Sequence, residues 1–261
     1  MKKLITVLLF IFVNLNAVQS QIVTKEIPAD KYKIILTWND SVFYSGGMVV
    51  KNESGDNVFS ADNFHSGYNS DKSVDLNNDG NSEFLLELET GNTRSDYNMY
   101  VIFDFSMGPD PKCEVHNAEL ISKVDKVNDI VSNVRVGDPK MEAKYSYALT
   151  YDKGKLMLNK DIKSSKVLQE LVPFAEDYSD LINEYAKTGN VCDESSQVKN
   201  YYLAYIIQQK IVTNEDEGLK FFETNYKCEN KKDLEAELKS SVNEHYSKIS
   251  NPDNFNFKTN N

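Results

Sequence analysis

The residues best suited to chemistry fall in one short run, Asp75-Leu76-Asn77-Asn78-Asp79-Gly80-Asn81-Ser82-Glu83, followed at once by Phe84-Leu85-Leu86-Glu87-Leu88. Oxygen-bearing side chains recur at alternate positions, Asp75, Asn77 and Asp79, and the carboxylate of Glu83 comes four residues later. A tight loop turns every second side chain inward, and that suits a hard cation such as Ca²⁺, which takes oxygen ligands at about 2.3–2.6 Å. Gly80 stands where the backbone must reverse, and a residue without Cβ adopts positive φ cheaply. The same residue types also make plain polar turns. Three carboxylates so close together repel one another unless something neutralises them, and this favours the cation. The ion expected here pins a loop. A catalytic ion would need an open coordination position and a positioned base, and the sequence offers neither.

Other chemistry is sparse. His65, His116 and His245 are scattered, and none belongs to a close metal-ligand spacing. There is no Gly-x-Ser-x-Gly elbow and no phosphate-cradling glycine loop. Cys113 and His116 could pair as nucleophile and base, but Pro109 and Pro111 favour a loop cysteine. Glu87 and Glu89 share a strand face in the manner of a glycosidase pair, although acidic strand faces are common. Tyr97, Tyr100, Tyr201, Tyr202 and Tyr205 cluster locally. Such rings bind sugars or partner proteins, while the helical spacing of Tyr202 and Tyr205 favours core packing.

The N-terminus carries the layout of a secretory leader over 1–20: Lys2 and Lys3, an apolar run from Leu4 to Val13, and small residues before Gln21. The apolar run is short for a membrane span, and no later segment approaches that length, so a secreted or periplasmic protein is expected. Loss of the leader removes two lysines and no acid from a chain of net charge −11. An acidic surface repels phosphate backbones and argues against nucleic-acid binding. Cys113, Cys192 and Cys228 allow one disulfide and one spare thiol in an oxidising compartment.

The elements that must position these residues change character midway. Short runs rich in β-branched and aromatic residues read as strands: 33–38, 42–44, 48–50, 57–61, 84–88, 100–105, 118–124, 130–136, 143–151 and 155–158. Ser45-Gly46-Gly47 reads as a bulge, and Lys153-Gly154 as a hairpin turn. The strands lie too close in sequence for helical crossovers, which predicts an antiparallel β-sandwich or curved meander over 21–158. Beyond about Ile162 the period becomes helical, with Leu168, Leu171, Ala175, Tyr178, Ile182 and Tyr185 on one face. Pro173 kinks or restarts that helix, Gly189 caps its end, and Ser195 or Ser196 caps the next. Further helices start near Thr213 and Asn230. The fold class is therefore α+β, a β-rich part followed by a four-helix region over 159–250, with a disordered polar tail over 251–261. In an up-down-up-down order Cys192 and Cys228 fall at the same end, which makes their disulfide geometrically reasonable.

The Asp-x-Asn-x-Asp-Gly-x-x-Glu run and the apolar strand after it resemble the calcium loop of FG-GAP/VCBS-type repeats, over roughly Ile34 to Phe105. The resemblance implies metal ligation by the side chains of Asp75, Asn77, Asp79 and Glu83 with the backbone carbonyl of Asn81. Asn77 replaces a commoner aspartate, and the motif occurs once, so no propeller is implied. An EF-hand is excluded because its twelfth position, Leu86, cannot ligate. The function expected is an exported non-catalytic binding or structural module with a Ca²⁺-stabilised β-domain, its partner an extracellular or envelope protein or glycan. The alternative is a hydrolase, or hydrolase accessory, acting on extracellular polymer.

Overall fold

The computed structural model describes residues 21–91, 98–121, 129–136, 143–160, 177–187, 191–192, 197–213 and 216–258. The expected leader, Asn92, Tyr97, the helix over 162–176, and the caps at Gly189 and Ser195 or Ser196 lie outside these residues. Among the described residues, twelve antiparallel strands form three four-stranded sheets, and helices follow in the C-terminal half. The first sheet is β1 (Ile22–Ala29), β2 (Tyr32–Asn39), β3 (Gly46–Lys51) and β4 (Asn57–His65). The second is β5 (Gly67–Val74), β6 (Glu83–Glu89), β7 (Asn98–Phe103) and β8 (Pro111–His116). The third is β9 (Ala118–Ile121), β10 (Asp129–Val136), β11 (Ala143–Asp152) and β12 (Lys155–Leu158). Within each sheet, neighbours in space are neighbours in sequence, so each is a meander.

Strand alternation sends the middle sheet into two cores. Phe84, Leu86, Leu88, Val101 and Phe103 pack with the first sheet. Leu85, Tyr100, Ile102, Cys113 and Val115 join a second core, shared with the third sheet and the helices. Residues 177–187 form α1, followed by α2 (Val198–Thr213), α3 (Glu217–Asn225) and α4 (Lys231–Ser250). α2 is buried on most of its circumference because it packs on β11, α3 and α4 together. α4 buries only the stripe Leu234, Leu238, Val242 and Ile249, as a surface helix should. Gly218 lets α3 approach α2 closely, since a Cβ there would lie 2.6 Å from the Ile206 Cα.

Two side chains from the helices cover the edge of β11 that the short β12 leaves open. The Tyr178 hydroxyl accepts from Lys144 N at 2.8 Å and donates to Lys144 O at 2.6 Å. Gln208, fully buried, accepts from Ser146 N at 2.8 Å and donates to Ser146 O at 3.0 Å. Each buried backbone group left unmatched costs about 1–3 kcal/mol, which accounts for an amide in so apolar a helix. The helices are therefore bound to the third sheet through polar as well as apolar contacts. Cys192 and Cys228 form a disulfide, as the helix order suggested.

Four expectations require correction. Residues 42–44 are a turn: Asn39 Oδ1 accepts from Ser41 N, Val42 N donates to Asn39 O, and the Ser45 hydroxyl donates to Val42 O. These local bonds outcompete strand pairing, and they leave Val42, Phe43 and Tyr44 exposed. Cys113 sits in a strand, β8, where Pro111, Cys113 and Val115 alternate inward. It is fully buried, and burial pushes its thiol up to about 12, so it is no nucleophile. β1 and β5 went unread because they are polar edge strands with few buried positions. The tail is structured over its described part, 251–258, and 259–261 lie outside the described residues. Asn251 caps a 3₁₀ turn over Pro252–Phe255, Asn256 bridges to Cys113, and Phe257 packs against Phe59 and Phe64. Two aromatic anchors two residues apart outweigh the polar composition around them.

Candidate functional site

The Asp/Asn-rich run is the connection from β5 to β6, and its polar side chains organise its own backbone. Asp75 accepts from Asp79 N at 3.1 Å through one oxygen and from Gly80 N at 2.9 Å through the other. Asn77 Oδ1 also accepts from Asp79 N at 3.0 Å. Asp79 accepts from Asn81 N at 2.8 Å and from the Asn77 amide at 3.0 Å. These bonds hold the Asp79 carboxyl below its ordinary range. Asn78 and Gly80 both have positive φ, 60° and 93°. Leu76, fully buried, fastens the loop to the core.

Glu83 differs from the rest. It is only 1 % exposed and accepts from Leu76 N at 2.7 Å. Burial raises its carboxyl to about 7, and the nearby charges of Asp104 and Asp79 act in the same direction. The donor set suits a hard cation: oxygen atoms only, each carboxylate oxygen retaining a lone pair beside the N–H it accepts. Asp75, Asn77, Asp79, Glu83 and the Asn81 carbonyl are the residues that would hold it. Among the described residues, however, no group of three or more His, Cys, Asp or Glu side chains converges as a ready metal site.

The histidines separate. His65 is fully buried with Nε2 3.2 Å from Gly47 O, and burial holds it below its ordinary value, hence neutral. His245 meets the Tyr145 hydroxyl at 3.1 Å. Tyr202 and Tyr205 are core residues, as their spacing suggested, and Tyr202 packs on Phe222 and Tyr226.

The second and third sheets meet at Asn117, whose φ of 50° turns the chain from β8 into β9. Asn tolerates that left-handed conformation better than most residues. Asn117 N donates to Asn98 O, and Asn133 N donates to Asn117 O. Two clefts adjoin this junction, and Asn117, Asn133 and Arg135 line both. One, of about 500 Å³, is lined by Asn69, Glu87, Asn98, Tyr100, Asn117, Ala118, Glu119, Asn133, Arg135 and Lys144. Asn69 is the extra residue of a β-bulge between Tyr68 and Ser70, which aims it out of the ladder. Glu87 is fixed by the Ser70 hydroxyl at 2.7 Å and the Asn98 amide at 3.0 Å. The Tyr100 hydroxyl is raised by burial and then by Glu87 and Glu119.

The other cleft, of about 400 Å³, brings together Glu114 and His116, two apart on β8, with the tail residues Asn254, Phe255 and Lys258 along its side. Burial raises the Glu114 carboxyl, while Lys258 N, 3.3 Å away, acts in the opposite direction. Of the side chains weighed from sequence, the clefts gather Glu87, Tyr100 and His116. They leave the Asp/Asn-rich loop, Cys113, His65 and the helix tyrosines elsewhere. Missed altogether were Asn69, Asn98, Glu119, Asn133, Arg135 and Lys144. For Glu119, Asn133, Arg135 and Lys144 the signal was a polar side chain inside a strand run, above all Arg135, one of only two arginines in the chain.

No helix among the described residues is long and apolar enough to cross a membrane. Comparison with protein-family models, curated proteins and solved structures finds no significant match to this chain.

Proposed function

We infer that this chain is an exported, non-catalytic binding module that takes a glycan in the larger cleft, with Ca²⁺ stabilising the β5–β6 loop. The observation that carries this reading is the cleft's lining. Four asparagine amides, two carboxylates, a guanidinium, an ammonium and a phenol surround about 500 Å³. A sugar presents many hydroxyls, each both donor and acceptor, and fixed amides and carboxylates match them with directional bonds. Ala118 and the Tyr100 ring add apolar surface against which a sugar ring can rest. In this reading the first two meanders, sharing a core, form a sandwich that displays the FG-GAP/VCBS-like loop. The four helices, tied by the Cys192–Cys228 bridge, brace the third sheet that carries one wall of the cleft. Both the bridge and the leader suit a secreted or periplasmic setting.

The test is calorimetric titration of the chain from Gln21 onward with neutral and acidic oligosaccharides, beside Asn69→Trp. Asn69 is exposed at the bulge, so the indole blocks the cleft without entering a core. The reading expects binding by the parent and at least a tenfold loss in the variant. Equal binding by both would put the ligand elsewhere. A hydrolase reading has one specific support, the Glu114 and His116 pair in the smaller cleft, where a carboxyl raised by burial suits a general acid. Release of reducing ends that disappears in Glu114→Gln would favour it.

A further inference from the structure

Two cations stand opposite one another in the larger cleft. Arg135 on β10 is in register with Lys144 on β11, and both line the cleft. Directly opposed residues on paired strands have Cβ atoms about 5 Å apart, and like charges so placed repel. Among the described residues neither side chain has a carboxylate partner. The chain holds 40 acidic residues against 29 basic ones, so an opposed cation pair runs against its overall balance. The backbone beneath the pair is fixed, since the Tyr178 hydroxyl binds both polar groups of Lys144. Asn133 lies two residues before Arg135, hence on the same face. Its Oδ1 accepts from the Ser146 hydroxyl, which orients its amide nitrogen as a donor.

The far end of the cleft has the opposite sign. Glu87 and Glu119 both act on the Tyr100 hydroxyl there. Glu119 is in register with Val131, four residues from Arg135 along β10, or about 13 Å at strand rise. The cleft thus presents hydrogen-bond acceptors at one end and two cations at the other.

We propose that Arg135 and Lys144 bind the carboxylate of a uronic-acid residue, so that the cleft takes an acidic glycan in one orientation. The proposal rests on the glycan reading above. A guanidinium fork matches the two oxygens of a carboxylate, and the ammonium adds a point charge beside it. A bound carboxylate also relieves the repulsion between the two cations. Sugar hydroxyls then donate to Glu87 and Glu119 at the other end.

The test is titration of the chain from Gln21 onward with oligomers of galacturonate, glucuronate and mannuronate, and with the methyl ester of each. The variants are Arg135→Gln/Lys144→Gln, at exposed positions, and Lys232→Gln, an exposed cation on α4 as control. At least one acid oligomer should bind ten times or more tighter than its ester. The double variant should lose that preference, and the control should keep it. If esters bind as tightly as acids, or the double variant keeps the preference, the carboxylate assignment is overturned while glycan binding stands. If no acid or ester binds, the carboxylate assignment is overturned, and the glycan reading falls with it only if the neutral oligosaccharides fail as well.

Discussion

Reduction of the Cys192–Cys228 bridge is expected to cost the protein about 4 kcal/mol of stability. The bridge closes 36 residues of chain, and in the chain-entropy account a closed loop of that size removes about this much freedom from the unfolded state. The loop it closes contains α2 and α3, and α2 supplies Gln208 to the edge of β11. Loosening the bridge therefore weakens the layer that braces the third sheet, beyond the connection itself. Urea unfolding of the parent and of Cys192→Ser/Cys228→Ser should show the loss as a lower midpoint. Hydrogen exchange should quicken first in α2 and at the 144–146 end of β11. Cys113 gives an internal control, since its buried thiol should stay unreactive in the native reduced protein. An unchanged midpoint would mean that the helices hold the sheet without the bridge.

The second large effect concerns Glu83. Its carboxyl is raised to about 7 in the folded protein from an ordinary 4.5, burial being the first cause. The folded state therefore binds a proton that the unfolded state releases as pH rises through 4.5. Stability falls between pH 4.5 and about 7, and the loss is complete above that. The full shift corresponds to a loss of up to about 3 kcal/mol. In metal-free buffer, the protein should be more stable to urea at pH 5 than at pH 8 by an amount of this order. Glu83→Gln keeps an acceptor for Leu76 N without the charge, so it should match the parent at pH 5 and exceed it at pH 8. A variant less stable than the parent at pH 8 would show the charge to be compensated already.

What the sequence disclosed follows from how local each feature is. The run from Asp75 to Glu83 was legible because the alternating oxygens, the glycine and the apolar strand are contiguous, and five side-chain hydrogen bonds to or between its polar groups fall within it. The hairpin at Lys153-Gly154 and the α4 stripe from Leu234 to Ile249 were legible for the same reason. β1 carries Lys25, Glu26 and Pro28, the signature of an edge strand, which blurs the strand pattern. Residues 42–44 have strand-forming side chains, and three hydrogen bonds from flanking polar groups overrode them. The cleft was invisible for a different reason. Asn69, Asn98, Glu119 and Lys144 come from four strands, and only the register of two sheets about Asn117 brings them together. Gln208 likewise reads as a polar residue on a helix until β11 is set beside it.

The Ca²⁺ dependence of the β5–β6 loop is the part of the proposed function that a single measurement decides. The measurement is thermal unfolding of the chain from Gln21 onward at pH 8, with Ca²⁺ and with chelator, beside Asp79→Ala. Asp79 is the residue on which the Asn81 and Asn77 bonds converge. An ion that binds only the folded state adds about 2.7 kcal/mol at a hundred times its dissociation constant. The parent midpoint should rise with Ca²⁺, fall back with chelator, and be insensitive to both in the variant. If the parent responds to neither, the run from Asp75 to Glu83 is a polar turn that satisfies its own backbone, and the calcium-stabilised module is the wrong description of this protein.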